Sequence, residues 1–136
     1  MGQSGDSIAA DGLSVVLAIA GRRVVVIAAG ERGVAEATAL AGAGASVTLV
    51  GATSLPAVAL DECALPGCIE VLGRPYVRGD LAGAFAAVCF ETGETATAVA
   101  SEACAVSCLV HVDGRPDLSS FRFAHDAISA PSEEIR

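Results

Sequence analysis

Lysine and tryptophan are absent from this chain of 136 residues, which has a single tyrosine. All eight basic residues are arginines, and sixteen acids bring the formal net charge to −8. Because such an acidic chain repels a phosphate backbone, we expect no nucleic-acid partner. Apolar residues make up 53% of the chain, and many of them are alanine and valine. Small side chains of this kind let helices pack closely on a sheet.

Long hydrophobic runs are missing as well. Arginine or glycine flanks the apolar runs, which stay well below the roughly 20 residues that cross a bilayer. Residues 1–11 are polar and acidic, without the basic start of a signal peptide. The sequence therefore predicts a cytoplasmic chain with a flexible N-terminus and no membrane partner.

Cysteine patterns that bind metal are also lacking. The five cysteines form no C-x-x-C pair, and no histidine lies at zinc-finger spacing. Their odd number argues against a disulfide framework in a chain without an export signal. We expect them to be small buried apolar residues, with a metal or redox role as the alternative, and we predict no metal site.

Residues 12–124 alternate between strand and helix patterns, which predicts a parallel sheet with right-handed crossovers. Apolar runs predict strands at 24–28, 46–50, 69–72, 86–90 and 108–112. Helices are predicted at 32–43, at 94–105 and, briefly, at 80–84 with Asp80 as N-cap. We expect a loop with one or two helical turns at 51–67. The fold class is a single α/β domain, a Rossmann-like doubly wound parallel sheet of about five strands, followed by a tail at 125–136.

The turn after the first strand reads Ala28-x-Gly30-x-x-Gly33. This is a degenerate form of the dinucleotide fingerprint G-x-G-x-x-G/A, in which a tight glycine turn and a helix N-terminus bind pyrophosphate. A methyl group replaces the first glycine, and the alternatives are that it leaves the turn intact, crowds the phosphate or shifts the loop. A turn that binds no nucleotide is the alternative.

Ligands of such sheets lie beyond the carboxyl ends of the strands. The predicted cofactor-binding residues at this edge are Ala28, Ala29, Gly30, Glu31, Arg32, Gly33, Val50, Phe90 and Glu91. Arg32 either pairs with the pyrophosphate or is an ordinary solvated arginine. No acid directly follows the second strand to bind ribose hydroxyls, so these residues do not distinguish NAD from NADP.

Several segments resemble one known family in order and spacing. They read GRRVVVI before the glycine turn, AGASVT at 43–48, RPYVRGDL at 74–81 and VD at 112–113. The most distinctive is RPYVRGDL, which follows the pattern R-x-Y-x-x-x-D-L. Over about residues 12–121 the chain resembles the siroheme synthase N-terminal domain family, precorrin-2 dehydrogenase/sirohydrochlorin ferrochelatase.

The resemblance implies a homodimer that oxidises precorrin-2 to sirohydrochlorin with NAD, often followed by iron insertion. Asp113 matches the aspartate to which the family assigns both reactions, and the resemblance therefore marks it as the catalytic residue. A carboxylate above the nicotinamide can accept a proton as hydride leaves, or relay pyrrole protons during metal entry. Without the resemblance, Asp113 reads as the start of a turn with Gly114.

The chain departs from the family pattern in several places. The family's three glycines are AAG at 28–30, Glu91 is the one acid kept after the fourth strand, and Val110 stands where the family has asparagine. Family members continue with a dimerisation region and a helical domain. We therefore expect a divergent, C-terminally short member that lacks part of the substrate-holding surface.

Two other functions stay open. The lost glycines and the short C-terminus favour a non-catalytic nucleotide- or tetrapyrrole-binding module that acts as a sensor, carrier or accessory subunit. A structural protein whose nucleotide cleft has closed is the third reading. Among single residues, we expect His111 to be structural, His125 to be exposed, and Arg74 and Tyr76 to pin the loop after the third strand. Ligation by the histidines and ligand contact by Arg74 and Tyr76 are the alternatives.

Overall fold

The sheet contains five strands in the order β3-β2-β1-β4-β5. They are β1 (Arg23–Ile27), β2 (Ser46–Val50), β3 (Cys68–Leu72), β4 (Ala86–Cys89) and β5 (Leu109–Val112). This computed structural model describes residues 12–28, 30–51 and 67–123. Every pairing between neighbouring strands is parallel. The predicted Rossmann-like α/β class and its number of strands are thereby confirmed.

Two helices cover the sheet, α1 (Glu31–Gly42) and α2 (Gly93–Ala105). Val99 of α2 belongs to the same buried cluster as Val25 and Ile27 of β1. Leu49 of β2 instead lies beside Gly33 of α1. Because successive side chains of a strand point to opposite faces, the helices lie on opposite faces of the sheet. The protein is therefore doubly wound, as the sequence predicts.

Residues 19–122 form one unit, which contains all of these elements, and residues 1–18 with 123–136 form a second. Of the second unit, the structure describes residues 12–18 and 123, which have no regular secondary structure. The domain boundaries at residues 12 and 124 stay predictions. The loop features expected at 52–66, Ala29, His125 and the tail at 125–136 lie outside the described residues.

The predicted short helix at 80–84 is wrong. Turns occupy residues 78–83 instead, and Gly79 and Gly83 have φ angles of 108° and 75°. Such positive angles do not fit a right-handed helix. The Asp80 carboxylate turns back to accept a hydrogen bond from the backbone N–H of Val77 at 2.9 Å, so it does not cap a helix.

Serine hydroxyls protect the outer edge of β5. Ser120 Oγ accepts a hydrogen bond from the Val110 N–H at 2.8 Å, and Ser119 Oγ accepts one from the Val112 N–H at 2.9 Å. Unpaired amide groups on an edge strand would otherwise be open to another chain. The segment that follows β5 therefore fixes the strand whose end carries Asp113.

Candidate functional site

The carboxyl ends of β1, β4 and β5 meet at one edge of the sheet. The residue that follows each of these strands forms one more backbone hydrogen bond with the neighbouring strand. The Ala28 N–H donates to the last carbonyl of β2 at 2.9 Å, and the Phe90 N–H donates to the last carbonyl of β1 at 2.8 Å. The Asp113 N–H donates to the last carbonyl of β4 at 2.9 Å. Residues that the sequence places at three strand ends are thus neighbours in space.

Gly30 is the N-cap of α1 and adopts an extended backbone with φ −120°. A Cβ atom built on Gly30 meets no atom of the described residues within 4 Å. Amide groups in the first turn of a helix lack intrahelical acceptors, and the helix dipole is positive there. An anion can therefore approach the backbone at Gly30, and this turn fits the pyrophosphate of a dinucleotide.

The methyl group of Ala28 packs away from this opening. Ala28 is 2% exposed, and a Cβ atom built on Gly33 would lie 2.4 Å from the Ala28 Cβ. The methyl group therefore fills the space that Gly33 leaves under the first turn of α1. Gly51 is also tightly placed, because its added Cβ would lie 2.8 Å from the Ala28 carbonyl oxygen. The Ala28 methyl group therefore leaves the opening at Gly30 uncrowded, whereas the rest of the turn includes Ala29, which lies outside the described residues.

Arg32 connects this turn to the end of β5. Its Nη1 and Nη2 atoms donate to Oδ2 and Oδ1 of Asp113 at 2.9 and 3.2 Å, a bidentate pair. Its guanidinium carbon lies 4.5 Å from the centroid of the Phe90 ring, within the range of a cation–π contact. The Arg32 side chain is 67% exposed and that of Asp113 is 35% exposed. We call these three residues the Arg32 bridge.

The other predicted cofactor-binding residues differ in their accessibility. Glu31 is exposed in the first turn of α1, and Glu91 is half-buried after β4. The Val50 side chain is fully buried, so its backbone alone reaches the edge. Contact between these residues and a cofactor stays a prediction.

The Arg32 bridge could not be predicted from the sequence, because its ion pair joins residues 81 positions apart.

An open groove of about 660 Å³ runs along α2. The groove is shallow and largely open to solvent. Arg78 and Arg115 line it from two separate loops, together with the hydroxyl-bearing residues Thr97 and Ser101 and the acid Glu94. Arginine and hydroxyl groups are donors that carboxylates accept. The groove can therefore bind the carboxylates of a ligand.

A buried carboxylate holds the loop after β3 against α2. Glu102 is 3% exposed, and it accepts hydrogen bonds from the Tyr76 hydroxyl and from the N–H groups of Gly79 (3.0 Å) and Leu81 (3.2 Å). Burial and the bond to Glu102 raise the pKa of Tyr76 above its usual range. The sequence reasoning missed Glu102. The available signal was an acid three residues after Val99 on an apolar helix face.

Arg74 closes the same loop. Its guanidinium donates to both carboxylate oxygens of Asp80 at 3.0 and 2.8 Å. The hydrogen bond from Arg74 holds the pKa of Asp80 below its usual range. Arg74 and Tyr76 therefore pin this loop, as expected.

His111 is buried in β5. It is 7% exposed, and its Nδ1 atom lies 3.2 Å from the carbonyl oxygen of Phe121. This hydrogen bond joins β5 to the segment that follows it. The arrangement fits the structural role expected for His111.

The cysteines divide into two groups. Cys89 and Cys108 are buried, and burial raises the pKa of each thiol to about 11. Cys68 and Cys104 are exposed, so the expectation of burial is wrong for them. Cys68 begins an edge strand and Cys104 lies near the end of α2, positions that the core does not enclose. Cys63 lies outside the described residues.

The fold and the turn define a nucleotide-binding domain of the Rossmann-like class. A family model described as "Putative NAD(P)-binding" matches residues 15–125. Because the match extends over most of the chain, the protein belongs to this family. The resemblance to the siroheme synthase N-terminal domain family, in divergent form, is thereby confirmed.

One solved structure similar to this chain is that of "SirC, precorrin-2 dehydrogenase", with 21% sequence identity and a TM-score of 0.53. The similarity covers 82% of this chain and 51% of that chain. This chain therefore spans about half the length of that structure, and the likeness shows the fold. A comparison with curated proteins gives no match. Within the described residues, no helix is both long enough and apolar enough to span a bilayer.

Proposed function

We propose that this chain is a precorrin-2 dehydrogenase-like oxidoreductase of siroheme biosynthesis that uses NAD, with NADP as the alternative cofactor. The main observation that supports this proposal is that the Arg32 bridge joins Asp113 to the nucleotide-binding turn. Membership of an NAD(P)-binding family supports a nicotinamide cofactor. The likeness to a precorrin-2 dehydrogenase supports precorrin-2 as the substrate.

The proposed reaction removes a hydride and a proton from the tetrapyrrole. When bound, the nicotinamide supplies the hydride acceptor. The backbone at Gly30 and the first turn of α1 hold the phosphates. Asp113 accepts the proton at a carboxylate oxygen, since its side chain is partly exposed at the same edge.

The groove along α2 is the proposed contact surface for the substrate. A tetrapyrrole of this class carries several carboxylates, and Arg78 and Arg115 line the groove. Arg115 lies two residues beyond Asp113 in the sequence, so a bound carboxylate there would lie near the proposed base. Arginine pairs with carboxylates through directed, charge-assisted hydrogen bonds.

The proposal also includes three further properties of the protein. They are iron insertion, a homodimeric assembly and a cytoplasmic location. In iron insertion, Asp113 would relay protons from the pyrrole nitrogens as the metal enters. Light scattering of the purified protein measures the assembly directly, and a monomer at all concentrations would contradict it.

A specific observation favours a second function, a non-catalytic nucleotide- or tetrapyrrole-binding module. Both carboxylate oxygens of Asp113 accept hydrogen bonds from Arg32. Both oxygens that could accept a proton from a substrate are therefore engaged by Arg32. Such a module would bind its ligands without turnover.

Calorimetric titration with NAD and NADP, followed by addition of precorrin-2, tests the two functions. The dehydrogenase proposal expects cofactor binding, the appearance of NADH absorbance, and loss of turnover with retained binding in Asp113→Ala. Binding without turnover, with Asp113→Ala equal to the parent, supports the module. No affinity at millimolar cofactor would end the dehydrogenase proposal.

A further inference from the structure

Arg32 is the one basic residue in the turn at 28–33. It is the second residue of α1, whose N-cap is Gly30. A pyrophosphate held by the first turn of α1 would lie within reach of its side chain. In this structure, however, the guanidinium donates two hydrogen bonds to Asp113.

The charges at this edge make Arg32 important for any anionic ligand. Glu31 precedes it and Glu91 follows β4, in a chain with a net charge of −8. A phosphate group therefore needs the positive charge of Arg32, and Asp113 competes for the same charge. Because exposed ion pairs are weak, roughly fivefold in an equilibrium constant at most, a phosphate group can displace Asp113.

We propose that Arg32 exchanges partners, pairing with Asp113 in the ligand-free chain and with the pyrophosphate of the dinucleotide in the complex. The exchange releases the Asp113 carboxylate when the cofactor binds. This proposal rests on the proposed function in taking a dinucleotide as the ligand. It adds that Asp113 weakens cofactor binding, and that the base becomes available only in the presence of cofactor.

The Phe90 ring can hold the Arg32 guanidinium in place during the exchange. The Arg32 guanidinium lies over this ring at 4.5 Å, a contact separate from the two hydrogen bonds to Asp113. Stacking on an aromatic face leaves the N–H groups of arginine free to donate in the plane of the guanidinium. Arg32 can thus change its hydrogen-bond partner while it stays over the ring.

Isothermal titration calorimetry of the full chain tests the exchange, with NAD and inorganic pyrophosphate as probes. We expect Asp113→Asn to bind both probes roughly threefold to fivefold more tightly, because it removes the carboxylate that competes for Arg32. Arg32→Gln should bind them roughly tenfold more weakly, because a charge-assisted contact is lost. The double variant should match Arg32→Gln, since Asp113 acts only through Arg32.

Asp117→Asn is the matched control. Asp117 forms a similar exposed pair with Arg115 at 2.7 Å, and its substitution changes the net charge by the same amount. We expect less than a roughly twofold change in affinity. In 1 M salt, where the screening length is about 3 Å, the gain in Asp113→Asn should shrink towards none. A control gain equal to that of Asp113→Asn would mean that net charge alone is responsible, and would overturn the exchange.

The outcomes separate this proposal from the proposed function. Unchanged or weaker binding of NAD by Asp113→Asn would overturn the exchange while leaving the dehydrogenase proposal intact. If pyrophosphate follows the expected pattern but NAD does not bind, Arg32 exchanges Asp113 for a phosphate ligand other than this dinucleotide, and the proposal of NAD as the cofactor fails. If neither probe binds any variant, the exchange and the use of NAD are both overturned.

Discussion

Replacing Gly33 by alanine places two methyl groups in a space that holds one. The added Cβ would lie 2.4 Å from the Ala28 Cβ, far inside the optimum of about 3.5–4.0 Å between carbon atoms. Overpacking of this kind costs about 1–3 kcal/mol. The better helix propensity of alanine returns at most about 1 kcal/mol. We therefore expect Gly33→Ala to lower the free energy of unfolding by about 1–2 kcal/mol.

The reciprocal change, Ala28→Gly, removes a buried methyl group and loosens the backbone. The two effects cost about 0.8 kcal/mol and about 0.5–1 kcal/mol. In the double variant, the new methyl group at Gly33 meets Leu49 Cδ1 at 3.4 Å and the Ala28 Cα at 3.6 Å, which are ordinary contacts. The double variant should therefore be close to the parent in stability, with a favourable coupling energy of about 2–4 kcal/mol.

Urea unfolding of the four proteins, followed by far-ultraviolet circular dichroism, measures this cycle. The chain has no tryptophan and one tyrosine, so fluorescence is a poor probe. Gly30→Ala serves as the control, because its Cβ meets no atom of the described residues within 4 Å. Additive single effects, within about 0.5 kcal/mol, would refute the packing argument.

Three further predictions concern the loop after β3 and the buried thiols. Tyr76→Phe removes a donor from the buried Glu102 carboxylate, and we expect urea unfolding to show a loss of about 1–3 kcal/mol. Asp80 has a lowered pKa through its hydrogen bond with Arg74, so its stabilising effect is present above the unfolded pKa of about 3.9 and is lost as pH falls towards the folded pKa. Asp80→Asn should be less stable at neutral pH and lose less stability below about pH 4, and equal pH dependence in the two proteins would contradict this. Burial raises the pKa of Cys89 to about 11, so a thiol reagent near pH 8 should modify it only after unfolding. Mass spectrometry of the labelled peptides checks this, and labelling of the folded chain at Cys89 would contradict it.

Four of the strands could be predicted because each is a short, mostly apolar run that is buried in a parallel sheet. The edge strand β3, which contains Glu70, is only partly buried. The run at 24–27 lies in β1, the central strand of the sheet, which pairs with β2 and β4. The helix predicted at 80–84 failed for a physical reason. Its apparent N-cap, Asp80, is bound by Arg74 and by the Val77 N–H, and these contacts fix a turn.

The sequence could predict which residues of the site follow the strand ends, but it could not predict the contacts between their side chains. Parallel topology brings the ends of β1, β4 and β5 to one edge, so Phe90 and Asp113 could be placed there before any contact was known. The pair between Arg32 and Asp113 could not, because no local pattern links residues 81 positions apart. Glu102 differs, since an acid on an apolar helix face requires a partner.

In the structure, the alanine at the first glycine position of the degenerate fingerprint does not crowd the opening for a phosphate, although the sequence alone suggests a loss. The fingerprint tolerates alanine at its third position, G-x-G-x-x-G/A, which puts a methyl group on the helix side of the contact between strand and helix. In this chain the methyl group belongs to Ala28 and the helix carries Gly33, with 2.4 Å between the two Cβ positions. One methyl group fits there, from either side. The substitution therefore moves the methyl group of this contact from the helix residue to the strand residue. The opening above Gly30 for a phosphate stays as the fingerprint requires.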